Sequence, residues 1–380
     1  MPKLVRVFDN NYNFLNVVSA LTLDFKELTF IYHHKIDTNQ MNNCSEVIHS
    51  YKPDINIKFK YIKNDEKEVI DILDEDTTVD ISTAKYLSAF LFEKAIEKKL
   101  MIIYYDDEES SIKNYNTHEL ITNKVFSLTI DDMVKLGGGT ISSKKMHKHI
   151  NINDEETATT IIKVVDSNIN KYSAFINYVQ RINTFINNKS INDTSFKISD
   201  EIVNKIIHDE LYSKIKNYHL FEIEDNILKF RNKDIRDMFS VSGAFLENYL
   251  YIKLSKSKMF DQVLMSSVID FSKYYNRYPI VCEIDCMAIR NNHLLFISCK
   301  SNKVDTDDLN EIKIHNTIFG NDLSDPVICT IEDLSKNAPA EYLKAKELKI
   351  AVIDKTSFIN NSVVEDLINI VNGTYKYERV

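Results

Sequence analysis

Two short apolar runs, Val281 to Ile289 and Leu294 to Cys299, carry charged residues where apolar ones would be easier to bury: Glu283, Asp285 and, one residue further, Lys300. The first run alternates as a strand does and the second is apolar enough to be its partner. Asn291-Asn292 between them suits a two-residue hairpin turn. With that turn the pairing is arithmetic: Arg290 faces His293, Asp285 faces Ser298, and Glu283 faces Lys300. Directly opposed side chains have Cβ atoms about 5 Å apart, so the acidic residues and the lysine share one polar site. A single bulge would change that register. Asp285 is a hard oxygen ligand suited to Mg²⁺ or Mn²⁺, and Glu283 could bind a second ion or position water. Lys300 could orient an attacking water or offset charge growing on a phosphoryl group. Cys299 has the opposite parity, which turns its side chain inward and leaves its backbone carbonyl able to face an ion.

Other carboxylates lie within reach in sequence. Glu247 follows Gly243 amid Phe245, Leu246, Tyr249 and Leu250; leaving that apolar face it could complete an ion's shell, or be an ordinary carboxylate near a helix N-terminus. Asp285 and Lys300 could likewise be a salt bridge at a strand rim. Asn310, Glu311 and Lys313 fall on a helix after Lys300, where Glu311 could position water or simply be solvated. His293 and His315 have neither zinc spacing nor a base's setting and read as turn or surface residues.

The elements that must hold these residues fall into three stretches. Leu4 to Phe8, Leu15 to Leu23, Leu28 to Tyr32, Ile55 to Tyr61, Thr77 to Ile81 and Met101 to Tyr105 alternate as strands and helices, with a helix from Thr83 to Lys98. That pattern predicts a compact α/β unit with a largely parallel sheet. Ligands of such sheets meet the loops at the carboxyl ends of strands, here Asp9-Asn10-Asn11-Tyr12 and Ser82-Thr83-Ala84-Lys85. Ser82 could cap the following helix and its backbone donors could favour a phosphate. Lys85 could neutralise that phosphate or be solvated. No glycine-rich phosphate cradle is present, which argues against a nucleoside triphosphatase. Gly137-Gly138-Gly139, in a chain with only six glycines, marks the end of the first unit or a hinge after it. Asp154 to Asn188 and Asp200 to Tyr218 read as helices, Phe221 to Phe230 as a small hairpin, and Val241 to Leu254 as a helix leading into a second α/β unit.

With 380 residues, 44% of them apolar, the chain is long enough for two to three domains with real cores. A net charge of −9 gives no global attraction to nucleic acid, so a polyanion partner needs a local basic channel or metal ions. The five cysteines form neither a CxxC pair nor an even framework, the pattern of reduced thiols in a cytoplasmic protein. No long apolar segment suggests export or a membrane span.

Taken together, Ser242-Gly243-Ala244-Phe245-Leu246-Glu247, Cys282-Glu283-Ile284-Asp285, Leu295 to Lys300 and Asn310-Glu311-Ile312-Lys313 resemble the CRISPR ancillary nucleases. These join an N-terminal CARF sensor domain to a C-terminal restriction-endonuclease-like domain, and the resemblance spans nearly the whole chain. It implies an α/β fold with a Rossmann-like CARF domain at 1–140, a mostly helical connector at 141–235 and a mixed α/β nuclease domain at 236–380. It further implies a cytoplasmic homodimer that binds cyclic tetra-adenylate between its sensor domains and, with Mn²⁺ or Mg²⁺, cleaves single-stranded RNA, single-stranded DNA or nicked duplex. By carry-over, Glu247, Asp285 and Lys300 are catalytic with Glu283 and Glu311 in support, and Glu247, Asp285 and the Cys299 carbonyl hold the metal. Asp9, Asn10, Asn11, Ser82, Thr83 and Lys85 match the ligand loops. Two departures stand out: Ser298 replaces a carboxylate that the nuclease superfamily often has two residues before its lysine, and the Ser82 loop lacks the paired glycines of many relatives. They leave two alternatives open: a messenger-binding regulator without catalysis, and a restriction-type DNase without a switch.

Overall fold

The computed structural model describes residues 2–9, 13–34, 36–63, 66–83, 86–142, 154–186, 193–241, 243–272, 281–319 and 324–375. Seven strands form the first sheet: β1 (Lys3–Val7), β2 (Glu27–Tyr32), β3 (Asn56–Tyr61), β4 (Thr77–Asp80), β5 (Met101–Asp106), β6 (Ser111–Asn114) and β7 (Leu120–Thr122). Their order is 3-2-1-4-5-6-7, with the first five parallel and the last two added as an antiparallel hairpin. Buried runs such as Leu28 to Ile31 reflect a sheet covered on both faces. The α/β architecture expected from the alternation is what the chain adopts. The helix Thr38–Tyr51 between β2 and β3 continues that alternation although it is not among the elements read from the sequence, and the β6–β7 hairpin is added beyond it.

The second sheet has order 16-15-14-13-12-8, from β8 (Thr140–Ser142), β12 (Gln262–Asp270), β13 (Val281–Arg290), β14 (His293–Lys300), β15 (Ser324–Thr330) and β16 (Ala351–Ile353). β14, β15 and β16 run parallel, while β8, β12, β13 and β14 alternate in direction. One face packs into an apolar cluster shared with the first sheet's helices. The other packs against the helices Glu155–Asn168, Tyr172–Ile186 and Ala244–Ser257 and a small sheet of β9 (Ser195–Lys197), β10 (Phe221–Glu224) and β11 (Ile227–Phe230). The expected hairpin at 221–230 is present, turning on Asp225 and Asn226, both at positive φ. The mostly helical stretch expected from Asp154 to Asn188 holds two helices in its described part, separated by a 3-10 turn at Ile169–Lys171, and the helix expected from Asp200 to Tyr218 is also two, Asp200–Ile207 and Tyr212–Lys216.

Two joints tie the sheets together. A Cβ on Gly139 would lie 2.5 Å from Ile269 Cγ2 and 3.1 Å from Phe271, so this glycine lets the chain pass tightly against β12 before forming β8. The glycine run is therefore a packed joint, and β8 is an edge strand of the second sheet at the start of the stretch assigned to a connector. At the second joint, buried Asn292 of the β13–β14 turn accepts from Leu128 N at 2.7 Å and donates to the Phe126 carbonyl at 2.9 Å. Gln262 on β12 accepts from Ile130 N at 2.8 Å. The side chain of the turn asparagine thus completes backbone hydrogen bonds of a loop far away in sequence, as buried polar backbone requires.

Candidate active site

The hairpin forms as the two-residue turn predicts, with Asn291 and Asn292 at φ 50° and 65° and Arg290 opposite His293. Its ladder runs only to Cys286 opposite Ile297. Beyond that the expected pairs, Asp285 with Ser298 and Glu283 with Lys300, do not form. The strands part, and the Asp285 carboxylate enters the gap: Oδ2 accepts the Cys299 backbone N–H at 2.7 Å and lies 3.4 Å from Ser298 Oγ.

The reason lies in side-chain parity. Ile284 packs with Met287 and Ile289 on the face toward the first sheet, whereas Cys286 and Ala288 pack on the helical face, so strict alternation fails at Asp285. On β12, the pairs Met265–Cys286 and Ser267–Ile284 bracket Ser266, which stands opposite Asp285 with φ 45°. A non-glycine residue in the left-handed region inside a strand is a strained position. The strain turns both strands together and aims Asp285 along the sheet, and only the apparent alternation was visible in the sequence.

Glu247 reaches this point from the first turn of the helix Ala244–Ser257. Its Oε2 is 3.4 Å from Ser266 Oγ, and its Oε1 lies where a Cβ on Gly243 would be, 2.5 Å away. Gly243 thus lets the carboxylate fold back over the helix start. Burial, then the Asp285 charge, raise the Glu247 carboxyl to about 8; the Ser266 hydroxyl and Lys300 oppose the rise and Glu283 adds to it. Asp285 is raised as well, first by burial and then by Glu283, against the pull of the Cys299 N–H and Lys300. Glu283 is exposed at the rim.

Lys300 Nζ lies 2.6 Å from Asp308 Oδ1, on the helix Thr306–Phe319. Burial would lower the Lys300 ammonium's pKa, yet Asp308, then Asp285 and Glu311, raise it above the ordinary lysine value. Sequence reasoning looked to Asn310, Glu311 and Lys313 on this helix and missed Asp308, whose position two residues from Asn310 gave no signal of its own. Glu311 is exposed, within electrostatic reach of Lys300 and Cys282. His293, next to the turn, bonds Asp325 at 2.7 Å, whereas His315, read as a turn or surface residue, is buried.

Glu247 and Asp285 therefore form an oxygen donor pair whose raised pKa values come chiefly from burial, with Asp285 adding to the rise of Glu247 and Glu283 to both, and a divalent cation between them would relieve these costs. Among the described residues, no three His, Cys, Asp or Glu side chains gather closely enough to bind a metal unaided. The residues present fit an ion such as Mg²⁺ or Mn²⁺ that keeps water in much of its shell.

At the other end of the molecule, β1 lies between β2 and β4, and the strand order reverses there, the usual crevice of an open α/β sheet. Asp9 and the Ser82–Thr83 loop leave the sheet at this crevice; Asn10, Asn11 and Lys85 lie outside the described residues. Arg6 and Asp80, opposite each other on β1 and β4, form a fully buried ion pair at 2.9 Å, and Arg6 also donates to the Leu15 carbonyl. Asp80 Oδ1 accepts Ser82 N at 2.9 Å and the Ser82 hydroxyl, which itself accepts Tyr105 N at 2.9 Å. Ser82 thus fastens its loop to the sheet; Ala84 and Lys85, whose backbone N–H groups a cap at Ser82 would serve, lie outside the described residues. Thr83 is buried with Oγ1 3.4 Å from Ser88 Oγ. Asp9 is buried, its main chain bonded to Asn16 through Asp9 N to Oδ1 at 3.2 Å and Nδ2 to Asp9 O at 2.7 Å.

Comparison with solved structures finds this arrangement of both units elsewhere. Protein VC1899 from Vibrio cholerae superposes with a TM-score of 0.78 at 14% identity, over 98% of each chain. Can2 from Sulfobacillus thermosulfidooxidans, in complex with cyclic tetra-adenylate, superposes with a TM-score of 0.71 at 13% identity, over 97% of each chain. The fold is theirs. It extends from end to end, so both sheets and the helical layer between them belong to one shared architecture. No family profile and no curated protein matches the sequence, so the likeness these comparisons show is one of fold. No helix among the described residues is long and apolar enough to cross a membrane.

Proposed function

We propose that the chain is a metal-dependent nuclease of CRISPR antiviral defence, switched on by cyclic tetra-adenylate bound at the β1–β4 crevice of two associated copies. The observation that carries the reading is the meeting of Glu247, Asp285 and Lys300 where β13 and β14 part, on a fold shared with a protein solved with cyclic tetra-adenylate. The division into a sensor at 1–140, a helical connector at 141–235 and a nuclease unit at 236–380 belongs to the same proposal, as do the homodimer and a cytoplasmic setting.

Glu247, Asp285 and the Cys299 backbone carbonyl would hold the ion. A divalent cation supplies Lewis acidity at phosphorus and a water of lowered pKa. Asp285, fixed by the Cys299 N–H, orients its ligand oxygen; Glu283 and Glu311 at the rim bias water placement. Lys300, held as an ammonium by Asp308, stabilises charge on the phosphoryl oxygens rather than taking a proton. Single-stranded RNA, single-stranded DNA and nicked duplex are the substrates proposed.

Ser298, a hydroxyl where related sites often carry a carboxylate, favours a second reading as a messenger-binding regulator without catalysis. Degradation of labelled single-stranded RNA, single-stranded DNA and supercoiled plasmid with Mn²⁺, with and without cyclic tetra-adenylate, separates the readings. Messenger-dependent cleavage supports the nuclease; messenger binding without cleavage supports the regulator; cleavage indifferent to messenger supports an unswitched DNase.

A further inference from the structure

β14, β15 and β16 run parallel, so their carboxyl ends open on one edge of the sheet, with Lys300 directly opposite Thr330. One residue past Thr330 begins the wall of a cavity of about 500 Å³. It lies between the segments after β15 and β16 and the break between the helices Glu155–Asn168 and Tyr172–Ile186. Lys171, Lys336 and Lys355 bring three ammonium groups to the wall against the carboxylates of Glu332 and Asp333. Asp333 is already engaged, capping its own helix and bonding Lys336 at 2.6 Å. Lys336 is the partner in that pair and Lys171 lies 4.0 Å from Glu210, so the wall's own residues leave a balance of one positive charge in a chain whose net charge is −9.

Tyr172 connects the cavity to the catalytic strands. The residue belongs to the cavity wall, is 4% exposed, and its hydroxyl is buried with no hydrogen-bond partner among the described residues. Burial chiefly, then the fields of Cys299, Glu247 and Cys329, keep its phenol from ionising. Its helix packs on the one that carries Glu247, with Phe175 and Phe245 edge to face at 5.0 Å. β14 and β16 are two strand spacings apart, roughly 10 Å, and the segments after β15 and β16 that line the cavity leave the same sheet edge as Lys300.

We propose that this cavity seats one nucleotide of a single strand, next to the bond cleaved at Glu247, Asp285 and Lys300, with Lys336 and Lys355 on its phosphates. The inference rests on the nuclease reading for the identity of its ligand. The volume is that of a small-molecule site and suits a base with its sugar and phosphate. A base stacked inside a duplex would have to be flipped out to enter, so the cavity selects unpaired strands.

The test is binding of short fluorescent single-stranded RNA and DNA to the full-length protein, followed by anisotropy across a salt series without divalent metal. Cleavage with Mn²⁺ and cyclic tetra-adenylate is measured alongside. The double variant Lys336→Glu/Lys355→Glu should bind about tenfold or more weakly, lower the salt slope by about two, and raise KM. Lys205→Glu/Lys229→Glu, at exposed positions elsewhere, makes the same change in net charge and should bind as wild type. Melting curves confirm that both variants fold, and Lys336→Gln/Lys355→Gln repeats the test without added acids. Equal affinity and salt slope in wild type and the cavity variants overturn the subsite, as does a wild type that binds no strand. If the wild type binds through these lysines and cuts nothing, the nuclease reading falls and the subsite stands.

Discussion

Asp285 Oδ2 accepts the Cys299 backbone N–H at 2.7 Å at the point where the β13–β14 ladder ends. The carboxylate thus closes the gap between two strands and presents its remaining lone pairs to the site. Asp285→Asn keeps an amide oxygen for the Cys299 N–H but removes the anionic ligand. Cleavage should fall at least 100-fold with a melting temperature near wild type, an expectation tied to losing charge at the reacting centre. Asp285→Ala also leaves the N–H unsatisfied and should melt lower, at a cost of about 1–3 kcal/mol. Activity retained by Asp285→Asn would remove this residue from the chemistry.

Gly243 is bound to Glu247 by space. A methyl group at Gly243 would meet Glu247 Oε1 at 2.5 Å, and the main chain there has φ −83°, which alanine adopts without strain. Gly243→Ala should therefore fold normally and displace the carboxylate. Nuclease activity is expected to drop about tenfold or more, since sub-ångström to ångström misplacement of catalytic groups is costly, with weaker Mn²⁺ dependence. A melting scan beside the rate measurement separates this from a folding defect.

The sequence carried the carboxylates and the lysine because charged residues inside apolar runs are unusual and hairpin arithmetic is local. It could not carry the partition of β13 and β14 at Asp285, which depends on the φ of Ser266 on another strand. Asp308 was equally silent: an aspartate near a helix start looks like a cap, and only the fold brings it to Lys300. The parallel sheet around β1 was legible from period and turns. The Arg6–Asp80 pair was not, because an arginine in a strand pattern reads as an exposed position until the sheet is covered on both faces.

Protonation of Glu247 gives a pH signature. The carboxyl is raised from 4.5 to about 8, so between those values the metal-free folded protein holds a proton that the unfolded chain releases. By linkage, this group's stability is fully present below pH 4.5, declines as pH rises, and is lost above about 8. Thermal unfolding of metal-free protein should show a fall across that window that Glu247→Gln removes. Mn²⁺ should release about one proton on binding near pH 6–7, since the ligand must be ionised. An unchanged pH slope in Glu247→Gln would place the titration elsewhere.

Arg6 and Asp80 offer the sensor-side test. Arg6→Met leaves a buried, uncompensated carboxylate and should cost roughly 3–5 kcal/mol, whereas Arg6→Met/Asp80→Asn removes both charges and should recover most of that stability. Asp80 also holds Ser82 N and its hydroxyl, and Ser82 in turn holds Tyr105 N. An asparagine Oδ1 can accept both of these bonds, as Asp80 Oδ1 does, but has lost the charge that strengthens them. The double variant should therefore be folded with a looser Ser82–Thr83 loop, and bind cyclic tetra-adenylate about tenfold more weakly by calorimetry. Full messenger affinity in the folded double variant would show that the loop is set by other contacts and that the buried pair serves only the sheet.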